Sequence, residues 1–246
     1  MLGTTGALVL FAALLHASWN AMLHGQRDRF LAMTWTCVAQ AAVSTVVVLI
    51  APAPAAASWK YIVASGLVHI AYNVSLVRAY HSGDLAEAYP IARGSSPLLV
   101  TLGAAVFARE AIGPLHGLGV AMISGGILAL AFRGHRVSGA GALAALTTGA
   151  TIALYTMIDG PGVRSSNGEA LASTAWMSLF NGFKPLLFVA RRGPADLIAT
   201  TPAAVASSLA GGVVSIAAYG VVIWAMQSGA MGTVSALRET SVVFAA

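Results

Sequence analysis

Long apolar stretches separated by short polar turns set the pattern of this chain. Residues 1–26 hold no Asp, Glu, Lys or Arg, and after "RDRF" residues 30–59 again hold none. A membrane-spanning helix needs about 20 predominantly apolar residues. The pattern therefore predicts spans at 4–23 and 31–50, the second ended by the turn "APAPAAAS". Further spans are expected at 61–80, closed by "HSGD", at 86–107, and at 114–132 after "AREAIGP". Beyond "RGHRVSG" follow 140–158, ended by "DGPGVRSSNGE", and 170–190, before "RRGPAD". Leu197 to Leu237 is then free of charge, which makes two spans, 203–226 and 231–246, joined by "QSGAMG". The last is only about 24 Å long at 1.5 Å per residue. It stops on "SVVFAA" without a polar cap, so the sequence is expected to be a truncated copy of a longer chain.

Composition agrees with this reading. Of 246 residues, 58% are hydrophobic and only 9% charged, with a mean hydropathy of +0.81. A soluble domain is about 25% charged, so so few charges leave a surface that must face lipid. The net charge of +5 comes from scattered single arginines, as in membrane-flanking loops. No basic run carries interleaved aromatics, and a nucleic-acid partner is not expected. Cys37, the one cysteine, excludes an intramolecular disulfide and a cysteine-built metal site. The N-terminus lacks the basic region of a signal peptide and reads as the first span of a multi-pass protein.

The two halves of the chain resemble each other. "GALVLFAALLHASWNAMLHG" (6–25) aligns without a gap to "GALAALTTGATIALYTMIDG" (141–160). "AYNVSLVRAYHSG" (71–83) matches "AYGVVIWAMQSG" (218–229) with one residue deleted, and "IARGSSP" matches "ALRETSV". These matches set Tyr72 opposite Tyr219, Arg93 opposite Arg238 and Ser96 opposite Ser241. A unit of five spans is odd, so the second must enter the membrane in the opposite sense, an arrangement common in secondary transporters. The expected division is 1–136 for the first unit and 137–246 for the second, which lacks its last span. The fold class is thus an all-α integral membrane protein of about nine transmembrane helices in two inverted repeats.

The sequence resembles the EamA branch of the drug/metabolite transporter superfamily. The residues that carry the resemblance are "HASWNAMLH", "EAYPIARGSSPLLVTLGAAVFARE", "GLGVAMISGGILAL" and "SALRETSVVFAA". Where such proteins commonly have Gly-Glu after the fourth span, this chain has Arg109-Glu110. The resemblance implies ten spans, a cytoplasmic N-terminus, and a central cavity lined by spans 3, 4, 8 and 9.

A charge at a span centre costs roughly 2.5–3.5 kcal/mol on insertion scales, and such charges usually serve function. Arg93 and Arg238 are accordingly candidate anchors for an anionic or zwitterionic solute, since a guanidinium fork suits carboxylates and phosphates. The alternative is a buried ion pair, Arg93 with Glu87 or Glu239, that locks two helices. Glu239 reads as the only carboxylate clearly within a span and is either the proton-coupling group or that salt-bridge partner. His16, Trp19 and Asn20 share one helical face, and Tyr72, Asn73 and Tyr219 complete the candidate binding set. Pro90 and Pro97 are expected to loosen the helix around Arg93, and Lys184 to snorkel to the interface. The first span has no glutamate, which argues against the lipophilic-cation exporters of the same superfamily.

The expected function is a secondary transporter that moves a small polar metabolite, such as an amino acid, across the plasma or inner membrane by alternating access, with export favoured. The alternatives are a nucleotide-sugar or lipid-linked sugar-phosphate carrier, or a membrane protein that does not transport. Partners are the lipid bilayer, the solute and protons as coupling ion, in a monomer or homodimer. No HExxH, aspartate pair or nucleotide-binding glycine loop occurs, so no enzyme activity, metal or cofactor is expected. Six arginines follow spans 1, 5 and 7 (Arg27, Arg29, Arg133, Arg136, Arg191, Arg192), against Lys60, Arg109 and Arg164 on the other side. Loop charge thus favours an external N-terminus, opposite to the resemblance.

Overall fold

The computed structural model describes residues 3–82, 85–131 and 138–245, and all regular structure among them is helical. The helices are α1 (Thr4–His24), α2 (Arg29–Ile50), α3 (Trp59–Ser82), α4 (Leu85–Phe107), α5 (Pro114–Ala131) and α6 (Gly139–Arg164). They continue as α7 (Ala170–Leu179), α8 (Phe183–Arg192), the single turn α9 (Ala195–Ile198), α10 (Pro202–Met226), α11 (Met231–Glu239) and α12 (Ser241–Ala245). Five are long and apolar enough to cross a membrane: α1, α2, Tyr89–Phe107 of α4, α6 and α10.

Local chemistry explains three of the helix starts. The Asp28 carboxylate accepts the Leu31 N–H at 3.0 Å at the head of α2, and Ser138 caps α6 through Gly141 in the same way. Thr201 caps α10, with Pro202 at its first position, where no N–H is needed. The surface is inverted relative to a water-soluble domain. Phe107, Leu49, Ile50 and Leu115 are about four-fifths exposed, while Arg93, Asp159, Arg238 and Glu239 are buried. An outer face of this kind suits lipid rather than water.

Around the interior, α1 packs against α10, α11 and α12, and α6 against α3 and α4. Helix α2 packs against α10 and α7, α3 against α7, and α4 against α5 and α11. Small residues permit the close approaches. A Cβ on Gly149 would come within 2.8 Å of the Ala92 carbonyl, and one on Gly212 within 2.5 Å of the Thr36 carbonyl.

Three expected spans differ from the observed helices. The sixth does not stop at 158: α6 runs on through Asp159, Gly160, Pro161 and Gly162 to Arg164. Gly160 lies against Met231 and Gly162 against Tyr61, so packing holds helical a segment that reads locally as a turn. The seventh is broken by a 3₁₀ turn, Phe180–Gly182. Pro185 cannot donate to the carbonyl one turn earlier, and the break places it in the first turn of α8. The ninth is interrupted at Thr240, whose hydroxyl bonds back to the Leu237 carbonyl at 2.6 Å. Conversely α4 stays continuous through Pro90 and Pro97. The Arg93 carbonyl that Pro97 leaves free accepts the Ser96 hydroxyl at 3.5 Å.

Candidate functional site

The interior is organised by one carboxylate shared between two arginines. Glu239, at the end of α11, accepts from Arg238 at 2.6 and 2.9 Å through Oε1 and from Arg93 of α4 at 3.0 Å through Oε2. The Ser96 hydroxyl adds a longer bond to Oε1 at 3.5 Å. All three charged residues are at most 4% exposed. Their formal charges sum to +1, so one buried positive charge is uncompensated within the cluster. Aromatic faces lie against both guanidiniums: Tyr89 is 5.2 Å from Arg93 and Tyr155 5.9 Å from Arg238.

The arginines open onto a cavity of about 80 Å³, room for several waters. His16 and Trp19 of α1 line it, with His69 and Tyr72 of α3, Tyr155 of α6 and Tyr219 of α10. His69 stacks on Tyr155 at 4.1 Å and meets Tyr72 and Tyr219 edge-on, which makes one aromatic wall. Facing the cavity from α1, His16 accepts the Trp19 indole N–H on Nδ1 at 2.9 Å. The ring proton of a neutral His16 then sits on Nε2, which has no partner among the described residues.

Most of the expected binding set therefore converges. Arg93, Arg238, Tyr72, Tyr219, Trp19 and His16 all line the cavity. Asn20 does not: its amide donates to the His16 carbonyl one turn back at 2.7 Å and braces α1. The Asn73 and Glu87 side chains lie outside the described residues. Lys184 does not run to the interface. It lines the cavity from the first turn of α8, beside Cys37.

Glu239 is not the only carboxylate within a helix of the interior. Asp159 of α6 is 1% exposed, and the Tyr219 hydroxyl donates to its Oδ2. Asp159 lies one residue beyond the expected end of the sixth span, inside the longer α6. His69 and Tyr155 belong to the cavity wall as well, and each has a signal in the sequence. His69 stands three residues before Tyr72 on the same face, and Tyr155 falls opposite Asn20 in the gapless match of 6–25 to 141–160. Among the described residues no group of three metal-ligating side chains occurs.

No family model matches the sequence, and no curated protein does either. Nineteen chains of solved structures match. One, described only as the crystal structure of a protein, superimposes with a TM-score of 0.76 at 22% identity, covering 98% of this chain and 86% of its own. At that identity the likeness concerns the fold alone.

Proposed function

We propose that the chain is an EamA-like secondary transporter that moves a small anionic or zwitterionic metabolite, such as an amino acid, across a cell membrane by alternating access, with export favoured. The observation that carries this reading is the uncompensated buried guanidinium charge at the cavity. A buried cluster that keeps a net positive charge is costly, and a solute carboxylate supplies what the Arg93–Glu239–Arg238 cluster lacks.

The repeat is supported by the packing. Exchanging α1 with α6, α2 with α7–α8, α3 with α10, and α4 with α11–α12 turns the α1–α10 contact into α6–α3. It turns α1–α11 into α6–α4, and α2–α10 into α7–α3, and all six contacts occur. Nine spans in two inverted units, 1–136 and 137–246, account for that exchange, with the cavity at their interface. In this topology the α1–α2 and α8–α10 connections share one membrane face, and the α4–α5, α6–α7 and α10–α11 connections the other. Arg109, where the resemblance expects glycine, has φ 54°, the left-handed region glycine favours.

The test is uptake into proteoliposomes of labelled amino acids, organic acids and phosphorylated metabolites, with and without a pH gradient. Saturable uptake of a carboxylate-bearing solute, lost in both Arg93→Ala and Arg93→Lys, is the expected result. Wild-type rates in both variants would remove Arg93 as the anchor.

A further inference from the structure

Asp159 is the second buried acid of the interior, and its environment is the opposite of Glu239's. It forms no ion pair among the described residues. Tyr219 donates to Oδ2 and the Ser65 hydroxyl stands beside the carboxyl as a second donor, while Oδ1 makes no hydrogen bond of ordinary geometry among the described residues. A bare carboxylate oxygen in an apolar interior is expensive unless the group is neutralised. Glu239 cannot take that role: protonating it would strand two buried guanidiniums.

We propose that Asp159 is the proton-binding carboxylate of this protein, taking the coupling role first expected of Glu239. This rests on the transport reading above. A proton carried as hydronium bonds to Oδ1, leaves neutral water behind and removes the charge, while the Tyr219 hydroxyl keeps donating to Oδ2. Release returns the proton from Oδ1 to water, and no other bond changes.

The surrounding groups fit this step. From α3, Ser65 and His69 face the site, and from α10, Tyr219. From α11 comes Arg238, whose fork Glu239 already occupies, and from α4 Arg93, held the same way. On α6 itself Tyr155 stands one turn before Asp159, and α7 carries no titratable side chain. Tyr155 and Tyr219 also line the cavity, so the acid sits directly behind the wall a solute touches. The gapless repeat match sets the exposed His24 opposite Asp159. The second half alone therefore carries this acid, which gives one such site per chain.

Infrared difference spectra of the reconstituted protein, stepped from mildly alkaline to mildly acidic pH without solute, read the proton directly. A protonated-carboxyl stretch that grows on acidification in the wild type and is lost in Asp159→Asn is expected. Tyr219→Phe removes a hydrogen bond to the charged form, so the band should appear at higher pH. Asp159→Asn still accepts from Tyr219 and should fold. With a labelled amino-acid mixture as probe, it should keep solute exchange but lose accumulation driven by a pH gradient. A band that persists in Asp159→Asn, or that never titrates in the wild type, overturns the proposal, as does undiminished gradient-driven accumulation by the variant. If the wild type moves none of the probe, the transport reading fails while the infrared result still decides the proton site.

Discussion

Arg93 and Glu239 lie 146 positions apart in sequence and meet at 3.0 Å in the interior, joining α4 to α11. Arg238 holds the same carboxylate from the adjacent position. The two ways of breaking this cluster are therefore unequal. Arg93→Ala leaves Glu239 paired with Arg238, whereas Glu239→Gln leaves two buried guanidiniums without a counter-charge. Removing one partner of a buried pair costs about 3–5 kcal/mol, and Glu239→Gln should reach that range while Arg93→Ala falls below it. Thermal melting in detergent checks the order. A larger loss for Arg93→Ala would mean that Arg238 does not hold the carboxylate.

Arg109 pays for its left-handed backbone, φ 54°. An L-residue there bears about 1–2 kcal/mol of strain, against about 0.5–1 kcal/mol of extra chain entropy that a glycine would lose. Arg109→Gly should raise stability by about 1 kcal/mol, read as a higher melting temperature. It should leave the neighbouring 2.6 Å Glu110–Arg164 ion pair intact.

Cys37 reports on closure of one side of the cavity. It is fully buried beside Lys184, and it is the chain's one thiol. Helices α2 and α8, which carry Cys37 and Lys184, are also tied at their ends by the Arg192–Asp28 ion pair, with Arg192 over the Phe30 ring at 5.4 Å. Arg192→Ala should raise the rate of Cys37 labelling by a small thiol reagent several-fold. Glu110→Gln, which weakens the tie on the opposite face of the proposed topology, should leave it near the wild-type rate. Equal acceleration by both would show general loosening rather than a sided closure.

The same ion pair makes a small part of the stability pH-dependent. Partial burial pushes the Asp28 carboxyl up, but the Leu31 N–H and the Arg192 guanidinium together outweigh it and hold it below the usual carboxylate range. An acid depressed in the folded state contributes stability above its unfolded value, about 3.9, and loses it as pH falls through the lower folded one. Asp28→Asn can still cap α2. The melting-temperature gap between wild type and Asp28→Asn should therefore be present near neutral pH and vanish in strong acid.

Helix placement was legible because it is a local property. In lipid every backbone polar group must bond within its own segment, so apolar length alone marked α1, α2, α4 and α10 to within two residues at each end. The cost of intramembrane charge pointed to Arg93 and Arg238, and the sequence match between the two halves set Tyr72 opposite Tyr219. The i, i+3 relation of His16 and Trp19 is also local, and their hydrogen bond follows from it.

What the tertiary structure alone decided are the relations between distant segments. Whether Arg93 pairs with Glu239 depends on α4 meeting α11, which no spacing encodes. The stretch "DGPG" is a turn by propensity and a helix here, because Tyr61 and Met231 pack against its glycines. That difference of a few residues carried Asp159 into the interior. A proline one turn beyond Phe180–Gly182 likewise gave no sign that Lys184 would point to the cavity. Local pattern determined where the helices run, and long-range packing determined which buried charges face each other.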